Sequence, residues 1–218
     1  MSNADADHFI RSLQGSDRHT KPWRFWLLDD LYPADMVNEL DALPFAPPKD
    51  MWNEGRREVN NAKRVFLTQE VQAQYPCAGR LAKAMSDPAT IRAIEAECKI
   101  DLAGTYLRME YCMDVGDFWL EPHTDISAKK YTMLLYLSTG EGSDNCGTDV
   151  NAVEEPHPLV AEAPFAKNKG TLFIPGHDTW HGFHKRRILG VRKSIIINYV
   201  VWDWKSRHEL ASTTLAKV

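Results

Sequence analysis

Four runs dominate the chain after Asp101: "GTYLRMEYCM", "KYTMLLYLS", "GTLFIPG" and "RKSIIINYVVW". Each is rich in β-branched and aromatic residues and is bounded by Gly, Asp or Pro, which is the signature of strands. In the last run, alternation places Arg192, Ser194, Ile196 and Asn198 on one face and Lys193, Ile195, Ile197 and Tyr199 on the other. Both faces therefore carry residues that need cover. Strands of this kind close as a barrel or as a double-sheet jelly roll (a double-stranded β-helix), and both are open on the alternation alone.

The first half reads differently. Met36, Val37, Leu40 and Leu43 follow the spacing of one helix face. "VQAQYPCAGRLAKAMSD" is helical around its proline, and "DPATIRAIEAECKI" opens with an Asp-Pro helix start. A buried strand is expected over Trp23 to Leu28, and "NAKRVFLT" has the composition of another. Residues 1 to about 20 are polar and are expected to be mobile. The fold class expected is thus mainly β with flanking N-terminal helices (α+β). It forms one domain, with residues 1–102 as helical support and 103–204 as the jelly-roll core. The stretch 139–169 is polar and proline-bearing; it reads as a long connection with a short strand at "GTDVNAV". Connections of that length are usually functional, and here one could cover the site as a lid.

Composition narrows the partners. The net charge is only −4, which gives no sign of a nucleic-acid or membrane partner. The run Lys185-Arg186-Arg187 reads as a solvated hairpin tip. The four cysteines, Cys77, Cys98, Cys112 and Cys146, form no C-x-x-C pair and are expected to be reduced thiols. No N-terminal apolar region and no apolar run of about 18 residues is seen. A cytoplasmic setting is expected; the oligomeric state is not legible.

The chemistry gathers around "EPHTD". His123 and Asp125 are two apart, so on a strand they share a face and can aim an imidazole nitrogen and a carboxylate oxygen at one point. "HDTWHGFH" offers His177, His181 or His184 as a third ligand after the strand "GTLFIPG". Two histidines and one carboxylate leave three coordination positions open, as in non-haem Fe(II) oxygenases. Arg192 and Ser194, projecting inward, face the cost of burying a charge, which an anionic ligand would offset. An arginine grips a carboxylate through two parallel hydrogen bonds.

Taken together, H-T-D, then W-H-G-F, then R-K-S resembles the 2-oxoglutarate- and Fe(II)-dependent dioxygenases, in particular the prolyl-hydroxylase-like branch. The resemblance spans roughly residues 103 to 204. It implies that Fe(II) is held by His123, Asp125 and a distal histidine, and "WHGF" matches the distal motif best at His181, with His184 as the alternative. It implies that Arg192, assisted by Ser194, pairs with the distal carboxylate of 2-oxoglutarate. It further implies that Tyr136 contacts the same carboxylate and that Tyr111 lines the cosubstrate pocket, with plain aromatic core as the rival reading for Tyr111. Related halogenases lack the carboxylate ligand, so Asp125 points to hydroxylation or another oxidation. The implied reaction consumes O2 and 2-oxoglutarate, releases succinate and CO2, and hydroxylates a C–H bond of a small metabolite, a free amino acid or a peptidyl side chain. A cupin-like metalloenzyme that does not use 2-oxoglutarate is the alternative. Asn198, Thr132 and Arg64, with Asn60 and Asn61, are the inward polar residues that could recognise substrate, although the stretch from Asn60 to Arg64 reads first as an Asn-capped, solvated strand start. Trp119, Trp180, Trp202 and Trp204 are assigned to core or rim.

Overall fold

The computed structural model describes residues 3–49, 54–56, 64–138 and 145–216. The chain begins with helix α1 (Ala4–Gln14), β1 (Asp17–His19), β2 (Phe25–Leu28) and α2 (Ala34–Asp41). The short β3 (Val65–Phe66) precedes α3 (Gln69–Gln74), α4 (Pro76–Met85) and α5 (Pro88–Cys98). The remainder is β: β4 (Tyr106–Gly116), β5 (Leu120–His123), β6 (Lys129–Tyr136), β7 (Asp149–Asn151), β8 (Leu159–Glu162), β9 (Gly170–Phe173), β10 (His181–Phe183) and β11 (Ile188–Val200).

These strands form two antiparallel sheets. The major sheet has the order β1-β2-β9-β6-β11-β4-β3, and the minor sheet the order β5-β10-β7-β8. This is the expected jelly-roll arrangement of two facing sheets. Register follows the alternation read from sequence. Along β11, Arg192 pairs with Asp114, Ser194 with Cys112, Ile196 with Glu110 and Asn198 with Arg108, so these eight residues share one face. On the other side of β11, Ser194 pairs with Tyr136, Ile196 with Leu134 and Asn198 with Thr132. The opposite face carries Met133, Leu135, Ile195, Ile197 and Met109, all fully buried against the helices.

The N-terminal segment corrects an expectation. Residues 4–14 are a helix, not a mobile tail. Ala6, Phe9 and Leu13 form its buried stripe, Asn3 caps its first turn, and Asp5 and Asp7 complement the helix dipole there. Asp5 is also gripped through two hydrogen bonds by Arg80 of α4. The proline within "VQAQYPCAG" divides the helical stretch in two: Tyr75 ends α3, and Pro76 starts α4 from the first helical position, where its missing N–H costs nothing.

The stretch after residue 144 is also more ordered than expected. It contributes β7 and a second strand, β8, and so builds part of the minor sheet instead of forming a loop across it. β8 is exposed along most of its length and lacks the buried alternation that marks a strand in sequence. All four cysteines are buried, and none is joined in a disulfide among the described residues. Among the described residues, no helix is long and apolar enough to cross a membrane.

Candidate metal centre

β5 and β10 lie side by side in the minor sheet, with His181 directly opposite His123. A Cβ on Gly182 would come within 2.9 Å of the Leu120 carbonyl oxygen, so a glycine there lets the two strands lie close. The imidazole rings approach to 4.4 Å between centroids. Asp125 follows His123 by two residues, and one ligand atom from each of His123, Asp125 and His181 falls within 4.8 Å of the other two. The fit to a divalent metal is good on its donor set alone: two imidazoles and one carboxylate from one side leave the other side open.

The surroundings orient these donors. His123 Nδ1 lies 2.8 Å from the Glu121 carbonyl, and His181 Nδ1 lies 2.9 Å from the Thr179 carbonyl. A carbonyl only accepts, so each Nδ1 carries the proton and each Nε2 presents its lone pair. Such backbone-fixed tautomers are the usual support for ligating histidines. Burial, reinforced by the neighbouring His123, pushes the His181 pKa down to about 3, which keeps the ring neutral, the form a metal would need. Asp125 is steadied at both oxygens: Lys129 Nζ donates to Oδ1 at 2.5 Å and Thr132 Oγ1 donates to Oδ2 at 2.7 Å. Thr132 in turn accepts from Asn198 Nδ2 at 2.9 Å.

Thr132 and Asn198 thus differ from their expected place as substrate-facing groups. They form a relay of hydrogen bonds that fixes the Asp125 carboxylate. Sequence reasoning missed Lys129 altogether. Its one visible signal is its place at the start of an otherwise apolar strand, where its side chain is only 4% exposed.

A narrow cavity of about 50 Å³ runs inward from the triad to Arg192 and Arg64. Arg192 Nη1 donates to Asp114 Oδ2 at 2.7 Å and its Nε donates to the Cys146 carbonyl at 2.6 Å. Its guanidinium packs over the Phe183 ring at 4.6 Å. Ser194 Oγ is buried and has no hydrogen-bond partner, an orphan that a ligand oxygen would satisfy. Tyr136 is fully buried across the ladder from Ser194. Its hydroxyl lies 2.8 Å from Thr148 Oγ1 and 3.0 Å from Thr171 Oγ1, and Thr148 borders the cavity. On the outer side of His123 and Asp125 opens a broad cleft of about 630 Å³, bordered by Arg56, Arg108, Trp204 and Glu209.

Tyr111 is not brought to this site. It pairs with Ile195, on the helix-facing side, and its hydroxyl donates to the Leu40 carbonyl at 3.1 Å. Its parity on β4 is opposite to that of Asp114 and Cys112, so its ring packs on Phe45. The expectation that it lines the cosubstrate pocket is overturned. His184 stays at the surface, bonded through Nδ1 to Asp149 at 2.8 Å, and is no part of the triad. His177 borders a separate cleft on the far side of Asp125. Arg186 is not a solvated tip: its side chain is 6% exposed and holds Asp149 at 2.8 Å and the Gly147 carbonyl at 2.6 Å. Asn60 and Asn61 lie outside the described residues.

No family model matches the chain, and the search of curated proteins finds no match. Solved structures do match. A prolyl-4-hydroxylase from Pseudomonas putida superposes with a TM-score of 0.55 at 14% identity, covering 90% of this chain and 92% of its own. A Trichoplax adhaerens prolyl hydroxylase, solved with a hypoxia inducible factor peptide fragment, gives 0.58 at 13% identity, covering 89% and 88%. This chain has their fold. The same fold is found in SnoN, a non-heme α-ketoglutarate-dependent epimerase of nogalamycin biosynthesis, at a TM-score of 0.50 and 15% identity over 90% of this chain and 83% of that one. The architecture therefore houses more than one chemistry, and the site must specify which.

Proposed function

We propose that the protein is a 2-oxoglutarate- and Fe(II)-dependent oxygenase that hydroxylates a C–H bond of a small metabolite, a free amino acid or a peptidyl side chain. The observation that carries this reading is the convergence of His123, Asp125 and His181 at the mouth of a cavity whose inner end holds a buried arginine. His123, Asp125 and His181 would hold the metal. Bound together, iron, 2-oxoglutarate and O2 supply the oxidising chemistry, with succinate and CO2 as the products of the cosubstrate.

The chain's own residues do the rest. Arg192, with Ser194 beside it, binds the distal carboxylate and so sets the direction of the cosubstrate. Thr148, with Tyr136 behind it, adds a hydroxyl at the same end. Phe118, Leu120, Leu134 and Phe183 wall the cavity and exclude water. The Lys129 and Thr132 hydrogen bonds keep Asp125 facing the metal. The outer cleft, about 630 Å³ against about 50 Å³ for the inner cavity, is the place for the primary substrate. The peptide-bound relative shows that this fold admits a peptide, which keeps a peptidyl side chain among the substrates proposed.

One observation favours the second reading, a metalloenzyme that does not use 2-oxoglutarate: Arg192 already has a carboxylate partner in Asp114. Anaerobic calorimetry separates the two. The iron-loaded protein is expected to bind 2-oxoglutarate, and Arg192→Ala is expected to keep iron and lose the cosubstrate. Equal 2-oxoglutarate affinity in both proteins would remove Arg192 from its role.

A further inference from the structure

Arg64 lies just ahead of β3 and reaches into the same inner cavity as Arg192. Its side chain is 5% exposed, and both Nε and Nη1 are buried without an acceptor. Its nearest acid is Asp114, whose Oδ1 is 3.7 Å from Arg64 Nη2 while its Oδ2 is held by Arg192 at 2.7 Å. Glu110, the next inward carboxylate on β4, is taken by Arg108 at 3.2 Å. Two guanidiniums thus bracket one carboxylate, and one of them is left with two unsatisfied donors. An arginine stays charged in such a place, and buried donors without acceptors are costly.

A purely structural arginine would set its fork squarely on Asp114, as Arg80 does on Asp5 at 2.8 and 3.0 Å. Arg64 does not. Arg64 lines the cavity, its Nε and Nη1 are buried without an acceptor, and the buried Ser194 hydroxyl on the inner face of the sheet is likewise without a partner. Two cations lining one small cavity, with buried polar atoms of Arg64 and Ser194 left unpaired, describe a seat for a second carboxylate.

We infer that Arg64 is a binding residue for the 2-oxo acid: with Arg192 it grips the distal carboxylate, making a two-arginine seat that selects dicarboxylic over monocarboxylic cosubstrates. The inference rests on the function proposed above. Asp114 shows the geometry, since one carboxylate already lies between both arginines. A carboxylate that reaches Arg192 comes within the span of Arg64, which places Arg64 at the cosubstrate end of the cavity and away from the outer cleft.

The test is anaerobic titration of the Fe(II)-loaded protein with 2-oxoglutarate and, separately, with pyruvate, which has the 2-oxo acid group and no distal carboxylate. No primary substrate is added, so a carboxylate on that substrate contributes nothing. Arg64→Gln is expected to weaken 2-oxoglutarate about tenfold or more and to leave pyruvate unchanged, with the melting temperature and iron affinity close to those of the unaltered protein. Arg64→Lys, which keeps the charge and loses the fork, is expected to fall between. Unchanged 2-oxoglutarate affinity in Arg64→Gln overturns the inference and leaves Arg64 a structural or primary-substrate residue. Equal weakening of both acids overturns it as well, by showing general damage. If the unaltered protein binds iron and not 2-oxoglutarate, the proposed function itself fails, and that result is recognised before any variant is made.

Discussion

The two faces of the major sheet are built from the same strands and differ in almost every other respect. On the helix side, Leu135, Ile195, Ile197 and Met109 are fully buried among apolar neighbours. One residue away along each strand, the inner side buries Arg108, Glu110, Asp114, Thr132, Arg192 and Asn198. Apolar burial is cheap and non-directional, so the helix face holds the sheet together. The inner side has an apolar cluster of its own, with Leu134, Tyr136, Phe173 and Phe183. Buried charge is costly unless paired, however, so its polar residues are held by specific hydrogen bonds, some of which also position groups around the candidate site. The contrast teaches that the helix-packed core and the arginine end of the inner cavity are carried by alternate residues of the same strands, while the two histidines come from the minor sheet.

That division is open to attack by mutation. Asp114→Ala removes the carboxylate between Arg64 and Arg192 and is expected to cost about 3–5 kcal/mol in chemical denaturation, with part of the loss recovered when iron and 2-oxoglutarate are added. A loss that 2-oxoglutarate does not touch would break the link between that pair and the cosubstrate. Leu135→Ala, on the helix face, is expected to cost about 2–5 kcal/mol through its cavity and to leave iron affinity unchanged. A large fall in iron affinity there would show that the faces are not independent. Thr132→Val keeps the shape and removes the hydrogen bond to Asp125; iron affinity is expected to fall about tenfold, with a stability change near 1 kcal/mol. Iron binding equal to that of the unaltered protein would show that Lys129 alone orients the ligand.

The sequence exposed the parts of this arrangement that depend on local pattern. The H-x-D spacing, the strand preceding "WHGF" and the parity of Arg192 and Ser194 are all short-range features, and they place His123, Asp125, His181 and Arg192 around one cavity. What was not legible depends on register between distant segments. Asp114 meets Arg192 only because β4 and β11 pair as they do, and the same register turns Tyr111 away from the site. Arg186 finds Asp149 across 37 residues of chain, which no reading of "KRR" suggests. Residues 4–14 failed for a different reason: the apolar stripe of Ala6, Phe9 and Leu13 was present, but it is sparse among polar neighbours and needs α4 and α5 to bury it.

The most direct test of the central claim is anaerobic visible absorbance of the protein as Fe(II) and then 2-oxoglutarate are added. If His123, Asp125 and His181 hold iron beside a seat for the cosubstrate, a weak charge-transfer band appears that neither addition gives alone, and it is lost in Arg192→Ala. Iron that binds without any band would contradict the account and leave a metal centre that works without 2-oxoglutarate.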